Sequence, residues 1–330
     1  MNIHAQAALA PSSQLFPFAY AEPSLGPFDV LIEITHCGLC HSDIHLIDDA
    51  WKRSIYPLVP GHEVVGNVIK RGASVSLPIG ARVGASWLYS ACLECSTCLS
   101  GENQLCPSKK TMCIGHHGGF SDKMTADSRF VFLIPQKLPS ELAAPLLCAG
   151  ATVYAPLKRW NVQAGKSLAV IGIGGLGHVA LQFGKALGCD VTAISSSPEK
   201  QKDALRFGAN HFFTFEQMKE HRMKYDFILS TVHHDLDWNS ILSSLKPSGT
   251  LCFLGRPPQP ISLDVSLILS SQRTLTGSST ANRPLMNEML AFAAQHKIAP
   301  QIELMKMSQI NEAIQKVRAN EARYRIVLIP

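Results

Sequence analysis

The 330-residue sequence lacks the features that mark membrane-spanning, nucleic-acid-binding and low-complexity proteins. It has no apolar run long enough to span a bilayer and no signal-like segment, so we expect neither membrane insertion nor secretion. Its 30 basic and 25 acidic residues give a net charge of only +5 and form no basic block, which argues against nucleic acid as a partner. Internal repeats are also absent. Composition therefore predicts a globular protein with a mixed, solvated surface.

Cysteine, by contrast, is plentiful, with ten in the chain. Without a signal-like segment, these thiols indicate a cytoplasmic location, where cysteines act as metal ligands or as buried small hydrophobes. Four of them follow the spacing C-x2-C-x2-C-x7-C: Cys92, Cys95, Cys98 and Cys106. This spacing predicts a closed tetrahedral zinc site in a lobe over residues 89–110, which holds a loop and performs no chemistry. A disulfide pair and an iron–sulfur cluster are the alternatives.

The pattern of apolar and turn-forming residues changes near residue 140. Before it, short Val/Ile-rich runs separated by Gly and Pro predict a mostly β domain. After it, strands alternate with helices over residues 167–254, which predicts a doubly wound parallel sheet. A helix and a last strand after residue 283 are interpreted as a return to the first domain. We therefore expect an α/β protein with domains at 1–148 and 149–282, and a segment 283–330 that completes the first.

A glycine-rich turn, G-x-G-G-x-G, follows a buried strand and precedes an amphipathic helix. In this context glycines allow a tight turn and a close approach of the backbone to a pyrophosphate, which the helix N-terminus attracts. The pattern predicts a dinucleotide site at Gly172, Gly174, Gly175, Leu176 and Gly177. The alternative is a tight strand-to-helix turn that binds nothing.

The end of the next strand carries no carboxylate to bind the adenosine ribose of NAD. It carries Ser195, Ser196 and Ser197 instead, with Lys200 one turn later. Hydroxyl groups and an ammonium suit a 2′-phosphate, so Ser195, Ser196 and Lys200 predict NADP(H) as the cofactor. The serines also have a simpler interpretation, as caps of the helix that begins at Pro198.

Three separated segments hold further candidate metal ligands, and spacing alone does not choose among them. They are residues 37–45, the run Gly61, His62 and Glu63, and residues 146–150, which include Cys148. A catalytic zinc takes three protein ligands and keeps one position open. Two thiolates with one imidazole would neutralise the ion and preserve its Lewis acidity.

Together these motifs resemble the zinc-dependent medium-chain alcohol dehydrogenases, especially the cinnamyl alcohol dehydrogenase branch, over nearly the whole chain. Besides the four-cysteine lobe, the resemblance is carried by CGLCHSDIH at 37–45, PGHE at 60–63, GHHGGF at 115–120, PLLCAG at 145–150 and GIGGLGH at 172–178. It implies a GroES-like catalytic domain, a Rossmann domain and two zinc ions per chain, one catalytic and one structural. It further implies a small-molecule alcohol or aldehyde substrate and, commonly, a homodimer.

The same resemblance assigns the ligands of the catalytic zinc. They would be Cys40, His62 and Cys148, with Glu63 adjacent and able to approach the metal when water or product exchanges. Cys37 would then be a bystander thiol.

Other residues acquire roles by resemblance. Ser42 would hydrogen-bond the substrate oxygen, and His45 would exchange its proton with solvent through the cofactor ribose, since an imidazole titrates near neutral pH. Asp43 would orient a metal-bound imidazole, with a turn cap as its alternative role. His41 is expected near the pyrophosphate and Thr152 near the nicotinamide.

The substrate walls are expected from segments around Trp51, Trp87, Leu88 and Ser278. The two tryptophans suit an aryl or medium-length apolar aldehyde, although simple packing is the alternative. Residues 45–55 depart from the plant-like pattern of the branch, so a dedicated cinnamyl substrate is not predicted.

Three other functions compete. A metal-free quinone or enone reductase on the same fold should lack the thiolate ligands, and a non-catalytic NADP-binding zinc protein would not need Ser42 and His45. An NAD-dependent alcohol, polyol or formaldehyde dehydrogenase would bring an acidic residue to the end of the second strand. We therefore predict a zinc- and NADP-dependent alcohol dehydrogenase or aldehyde reductase that acts on aromatic or medium-chain aliphatic aldehydes.

Overall fold

The computed structural model describes all 330 residues, which form two compact units. Unit 1 comprises Met1–Cys148 and Ala281–Pro330, and unit 2 comprises Ala149–Thr280. Each unit has its own buried apolar cluster, as expected for domains of this size. None of the helices is both long and apolar enough to cross a membrane.

The N-terminal part of unit 1 is mostly β, as its Val/Ile-rich runs predict. Its strands are β1 (Asn2–Ala8), β2 (Leu15–Ala21), β3 (Asp29–Leu39), β4 (Glu63–Arg71), β5 (Arg82–Ala85), β6 (Leu88–Ser90), β7 (Lys110–Thr111), β8 (Lys123–Asp127) and β9 (Val131–Leu133). Three short helices accompany them: α1 (His41–Ile47), α2 (Ser96–Leu99) and α3 (Ser140–Pro145). The long strand β3 pairs antiparallel with β4 and β8, so the residue that follows β3 and the residues that open β4 lie close together.

Unit 2 is the predicted alternation of strands and helices. In order it contains α4 (Ala151–Arg159), β10 (Ser167–Ile171), α5 (Gly177–Ala186), β11 (Asp190–Ile194), α6 (Gln201–Arg206), β12 (His211–Phe213), α7 (Phe215–Lys219), β13 (Tyr225–Ser230), α8 (Trp238–Ser243), β14 (Leu245–Phe253), α9 (Ser266–Leu269) and β15 (Thr274–Gly277). The strands form one parallel sheet in the order β12-β11-β10-β13-β14-β15. The order reverses between β10 and β13, which marks the place where doubly wound sheets bind their ligands.

The C-terminal segment returns to unit 1 with α10 (Arg283–His296), β16 (Ile302–Lys306), α11 (Ile310–Arg318) and β17 (Arg325–Ile329). Asn282 caps α10 by accepting the backbone N–H of Leu285 at 2.9 Å. Helix α11 buries one stripe at helical spacing, namely Ile310, Ala313, Ile314 and Val317. Strand β17 pairs antiparallel with β3, which brings the end of the chain beside the residues that follow β3.

Candidate active site

Helix α1 begins at a buried carboxylate that serves two partners. One oxygen of Asp43, Oδ2, accepts the backbone N–H of Cys40 at 2.9 Å and so caps the helix. The other, Oδ1, lies 2.8 Å from Nδ1 of His62 and also accepts the backbone N–H of Gly61 at 3.0 Å. Asp43 therefore caps a turn and fixes the imidazole ring of His62 at the same time.

Four side chains from three separated segments meet around His62. The ligand atoms of Cys40, His62, Glu63 and Cys148 all lie within 4.8 Å of one another. Within this group, Nε2 of His62 and Oε2 of Glu63 are buried without a hydrogen-bond partner. Buried polar atoms without partners are costly and uncommon, and thiols, imidazole and carboxylate are the donors that zinc prefers. The residues present therefore fit a zinc ion, and we call this group the assembled cluster.

Cys148 reaches the assembled cluster from a π-helical turn, Leu146–Gly150. The sequence pattern suggests one apolar helix over residues 142–157, whereas the structure interrupts it with this wider turn between α3 and α4. Such turns occur frequently at functional sites because an extra residue per turn redirects the side chains.

Glu63 has a partner that no sequence pattern predicted. The Nη2 of Arg325 pairs with Oε1 of Glu63, and the two side chains are 6% and 0% exposed. Burial raises the pKa of the Glu63 carboxyl to about 7, although the guanidinium opposes the shift. The carboxylate packs so closely on Gly38 that a Cβ there would lie 1.9 Å from Oε2 of Glu63. The available signal was an arginine at the start of the otherwise apolar strand β17.

The ligand side chains differ in proton affinity. A hydrogen bond with Cys148 is the largest influence on Cys40 and holds the pKa of its thiol well below the ordinary value, while the same contact raises the pKa of Cys148. Burial lowers the pKa of His62, but Asp43 and, to a smaller extent, Cys40 together more than reverse this effect. Cys40 is thus the first thiol to ionise, and a bound cation would displace the remaining protons.

Two tryptophans adjoin the assembled cluster. The ring of Trp87 meets His62 edge to face, with centroids 5.1 Å apart and an angle of 85°. Trp51 meets Trp87 at 5.8 Å and 89°, and its ring lies 5.2 Å from that of His45. The pair therefore connects the candidate metal ligand with the predicted proton carrier.

Ser42 and His45 are both partly buried on α1. Their spacing of three residues places them on one face of the helix. His41 opens the helix, with its ring 6.4 Å from that of His45. Thr152 lies in the first turn of α4, in unit 2.

The second cluster is the four-cysteine lobe. The sulfur of Cys92 lies 3.6 Å from that of Cys106 and 3.9 Å from that of Cys98, and the sulfurs of Cys95 and Cys106 are 3.9 Å apart. A tetrahedral zinc with Zn–S bonds of about 2.3 Å has sulfur–sulfur edges of about 3.8 Å. A disulfide needs about 2.05 Å, and all ten cysteines are free thiols. The lobe therefore fits zinc and does not contain a disulfide.

Leu88, predicted as a substrate contact beside the tryptophans, lies in this lobe. Its side chain is 6% exposed and belongs to a buried group with Ala91, Cys98, Cys106 and Phe130. Trp87 lies just before strand β6, which begins at Leu88, and the two side chains have different neighbours. The structure therefore places Leu88 in the core of the lobe, whereas Trp87 contacts His62.

The glycine turn follows β10 in unit 2. Gly172 has a φ of +89°, and a Cβ at Gly177 would lie 1.8 Å from the carbonyl oxygen of Gly172, so α5 starts too close to the turn for any side chain. A Cβ at Gly174 would meet no atom within 4 Å, which leaves the turn open there. Thr231, which follows β13 and was not predicted, braces the turn by donating to the Gly172 carbonyl at 2.9 Å.

The residues predicted to select NADP differ in their surroundings. Ser195 is 4% exposed, and its hydroxyl accepts the backbone N–H of Ser197 at 3.1 Å, whereas Ser197, the residue before the helical turn at Pro198, makes no side-chain capping bond, so the predicted capping role is not seen. Ser196 is exposed. The ammonium of Lys200 donates to the carbonyl of Ile173 at 3.0 Å, so a positive charge is held at the glycine turn.

Comparison with known proteins covers both units. Residues 26–136 match the alcohol dehydrogenase GroES-like domain, and residues 175–295 match the zinc-binding dehydrogenase family. Aldehyde reductase AdhA of Synechocystis is 41% identical, covering 99% of this chain and 98% of that protein. NADP-dependent alcohol dehydrogenase C 1 of Mycolicibacterium smegmatis is 40% identical, covering 99% and 97%. The structure of a cinnamyl alcohol dehydrogenase, SbCAD4 of Sorghum bicolor, matches with a TM-score of 0.95 at 36% identity, covering 100% of this chain and 98% of that one.

These matches confirm the fold predicted from sequence, a GroES-like domain joined to a Rossmann domain with a parallel sheet. They also confirm the resemblance that the cysteine, histidine and glycine motifs carry. The chain belongs to the zinc-binding medium-chain alcohol dehydrogenases, in the branch that includes the cinnamyl alcohol dehydrogenases.

Proposed function

We propose that the protein is a zinc- and NADP-dependent alcohol dehydrogenase that reduces aldehydes and oxidises the corresponding alcohols. The observation that carries the proposal is the assembled cluster, in which a buried ring nitrogen of His62 has no partner among two thiols and a carboxylate. The Synechocystis relative is named an aldehyde reductase and the M. smegmatis relative an NADP-dependent alcohol dehydrogenase, which supports the reaction and the cofactor.

Cys40, His62 and Cys148 would hold the catalytic zinc. When bound, the ion supplies a Lewis acid that polarises a carbonyl group. Two thiolates and a neutral imidazole balance its charge, and Asp43 fixes the ring of His62 with Nε2 available to the cluster. Glu63 is held by Arg325 through one oxygen and keeps the second within reach of the other ligands. The four lobe cysteines would hold the structural zinc.

Ser42 and His45 would move the proton that the reaction consumes or releases. Aldehyde reduction adds a hydride, which NADPH supplies, to the carbon and a proton to the oxygen. In our proposal the Ser42 hydroxyl donates that proton, and His45 draws its replacement from solvent. Oxidation reverses the direction. The positions support this role, because both side chains share one face of α1 and an imidazole titrates near neutral pH.

The glycine turn from Gly172 to Gly177 would bind the pyrophosphate of NADP(H). Lys200 and Ser196 would bind the 2′-phosphate, since an ammonium and an exposed hydroxyl favour an anion there. Ser195 would contribute by shaping the turn that presents Ser196. His41 near the pyrophosphate and Thr152 beside the nicotinamide complete the proposed cofactor contacts.

The proposed substrates are aromatic or medium-chain aliphatic aldehydes. Trp51 and Trp87 support this class because they present apolar rings between His62 and His45. Leu88 is not part of the proposed pocket, because it is packed in the lobe.

A homodimer in the cytoplasm is the proposed assembly and location. Strand β15 is an edge of the unit 2 sheet, and Val265 and Leu269, just before it, are 58% and 73% exposed. Ten free thiols agree with a reducing compartment. Light scattering should give about twice the chain mass of 35.9 kDa, and a mass equal to one chain would rule out the dimer.

The test of the reaction compares initial rates of NADPH and NADH oxidation with benzaldehyde, cinnamaldehyde and hexanal. We expect turnover that prefers NADPH and that disappears when zinc is stripped and returns when it is restored. Faster turnover with NADH would overturn the cofactor assignment alone. No turnover by protein that holds two zinc ions would contradict the proposed enzyme activity.

Substituting Ser196→Asp tests the phosphate site separately. A carboxylate at this position would repel the 2′-phosphate and accept the ribose hydroxyl of NADH, so the preference for NADPH should fall by about tenfold or more. The control is Ser270→Asp, which adds the same charge at another exposed serine of unit 2 and should leave the preference unchanged. An equal response to both substitutions would argue against the site.

A further inference from the structure

The backbone carbonyl groups of the glycine turn are bound, whereas its N–H groups are not. The carbonyl groups of residues 172–174 each accept a side-chain hydrogen bond, from Thr231 at 2.9 Å, Lys200 at 3.0 Å and Nδ1 of His178 at 2.8 Å, in that order. None of the backbone N–H groups of residues 173–176 is bound to a backbone carbonyl. Free N–H groups at the start of a helix attract an anion, and a carbonyl oxygen turned toward them would repel it.

Thr231 holds the carbonyl group with which the turn begins. It follows β13, the strand that pairs with β10, and its hydroxyl lies 2.9 Å from the carbonyl oxygen of Gly172 and 3.0 Å from that of Ile171. A Cβ at Gly172 would lie 2.9 Å from Oγ1 of Thr231, and a Cβ at Gly177 would lie 3.5 Å from it. The hydroxyl group is therefore packed between the end of β10 and the start of α5.

The turn needs such support because glycines leave its backbone free to rotate. Gly172 has a φ of +89°, and a Cβ at Gly174 would meet no atom within 4 Å. A peptide group is planar, so a carbonyl and the N–H that follows it point in opposite directions. Rotation of the peptide group after Gly172 would turn an oxygen toward the open side of the turn, and the hydrogen bond from Thr231 opposes this rotation.

Other contacts already join the turn to the sheet without the hydroxyl group. The backbone N–H of Gly172 donates to the carbonyl of Ile194 at 2.9 Å, and the backbone N–H of Thr231 donates to the carbonyl of Ile171 at 3.0 Å. The carbonyl of Ser230 accepts the backbone N–H of Leu254 at 2.8 Å. The fold of this region therefore has its own support, which leaves the Thr231 hydroxyl group to orient the turn.

We propose that Thr231 is a positioning residue for the dinucleotide. Its hydroxyl group holds the Gly172 carbonyl away from the anion site and so keeps the N–H groups of the turn directed at the pyrophosphate. This inference rests on the proposed binding of NADP(H) at the glycine turn. Because Thr231 acts through the turn and not through the 2′-phosphate, it should affect NADPH and NADH alike.

The experiment measures the Kd of NADPH, NADH and adenosine 2′-phosphate by calorimetry on the zinc-loaded protein. Thr231→Val keeps the branched shape and removes the donor, so the Kd of NADPH and that of NADH should each rise by about tenfold, with their ratio unchanged. Adenosine 2′-phosphate has no pyrophosphate, so its Kd should stay the same. In steady-state assays, the KM for NADPH should rise by a larger factor than kcat falls.

Thr231→Ser keeps the hydroxyl group and should bind both dinucleotides as the original protein does. Thr231→Ala provides a second comparison with Thr231→Ser, because both lack the methyl group and only the alanine variant should bind weakly. Thr250→Val is the matched control, since Thr250 is an 8% exposed threonine within β14 of the same sheet. It should leave all three Kd values unchanged.

The outcomes separate this inference from the proposed function. Original protein that binds neither NADPH nor NADH would refute the proposed cofactor and the role of Thr231 with it. Normal binding by the original protein with an unchanged Kd in Thr231→Val and Thr231→Ala would refute the role of Thr231 alone. Equal weakening of adenosine 2′-phosphate, or an equal effect of Thr250→Val, would also overturn it, because either result would indicate a general disturbance of unit 2.

Discussion

The lobe and the assembled cluster bring cysteines together in opposite ways. The four ligands of the lobe lie between Cys92 and Cys106 and need only local turns to meet. The assembled cluster takes Cys40, His62 and Cys148 from segments that meet only when β3, β4 and the helices after them have folded. A local motif can thus support structure by itself, whereas a site for chemistry depends on the tertiary fold.

Their surroundings differ as well. The lobe offers four sulfurs and no further charged partner among its ligands, so a bound zinc would have no open position. The assembled cluster mixes sulfur, nitrogen and oxygen, and its members are tied to two further charged groups, Asp43 and Arg325. Loss of metal should therefore affect stability in the lobe and reactivity in the assembled cluster.

The largest loss of activity should follow from the substitution His62→Ala in the assembled cluster. This change removes one ligand and the orphaned Nε2, so we expect aldehyde reduction to fall by about three orders of magnitude or more, because Lewis-acid stabilisation amounts to several kcal/mol. Elemental analysis should find one zinc per chain instead of two, with the lobe still loaded. His116→Ala, a partly buried histidine stacked on Tyr89, is the control that should keep both ions. Two zinc ions in His62→Ala would contradict the ligand assignment.

A smaller effect is expected from Asp43→Asn, which keeps the shape of the side chain but weakens its hold on His62. Loss of such a partner typically lowers metal affinity or activity by about 10- to 100-fold. Competition with a chelator should show this loss at the assembled cluster only. Asp127→Asn, at another buried carboxylate that caps a turn in unit 1, should alter stability without altering zinc affinity. Equal zinc affinities in the two variants would show that Asp43 does not support zinc binding at the assembled cluster.

Trp51→Leu should change selectivity more than overall rate. A shorter side chain opens space beside Trp87, so kcat/KM for a bulky aldehyde relative to acetaldehyde should rise by about tenfold. Leu88→Ala provides the contrast within the lobe: it should cost about 2 kcal/mol or more of stability and leave the aldehyde ranking intact. A changed order of kcat/KM among the aldehydes in Leu88→Ala would indicate that Leu88 lines the substrate pocket.

The smallest effect on rate, with a clear effect on stability, is expected from Cys98→Ser in the lobe. Weakened metal binding should lower the unfolding midpoint by about 5 °C or more, while the rate per folded molecule stays nearly unchanged. Calorimetry measures the unfolding midpoint, zinc analysis measures the bound metal, and initial rates measure the activity per folded molecule. Cys189→Ala, at a buried thiol outside the two clusters, should retain both zinc ions. A selective loss of rate without loss of stability would assign chemistry to the lobe.

Sequence reasoning succeeded where the information is local. The lobe and the glycine turn are short motifs, and the alternation of strands and helices predicted the doubly wound sheet. It did not find Arg325, because its meeting with Glu63 depends on the pairing of β17 with β3 at the far end of the chain. Leu88 was grouped with Trp87 because the two are adjacent in sequence, but adjacency does not reveal that Leu88 packs in the core of the lobe while Trp87 lies against His62. The dual role of Asp43 likewise required the position of His62 relative to α1.

Anomalous diffraction at the zinc edge, from crystals of the protein grown with zinc, would test the central claim most directly. Two peaks are predicted, one within bonding distance of Cys40, His62 and Cys148, and one at the centre of Cys92, Cys95, Cys98 and Cys106. A single peak confined to the lobe would contradict the assignment of the assembled cluster as a metal centre.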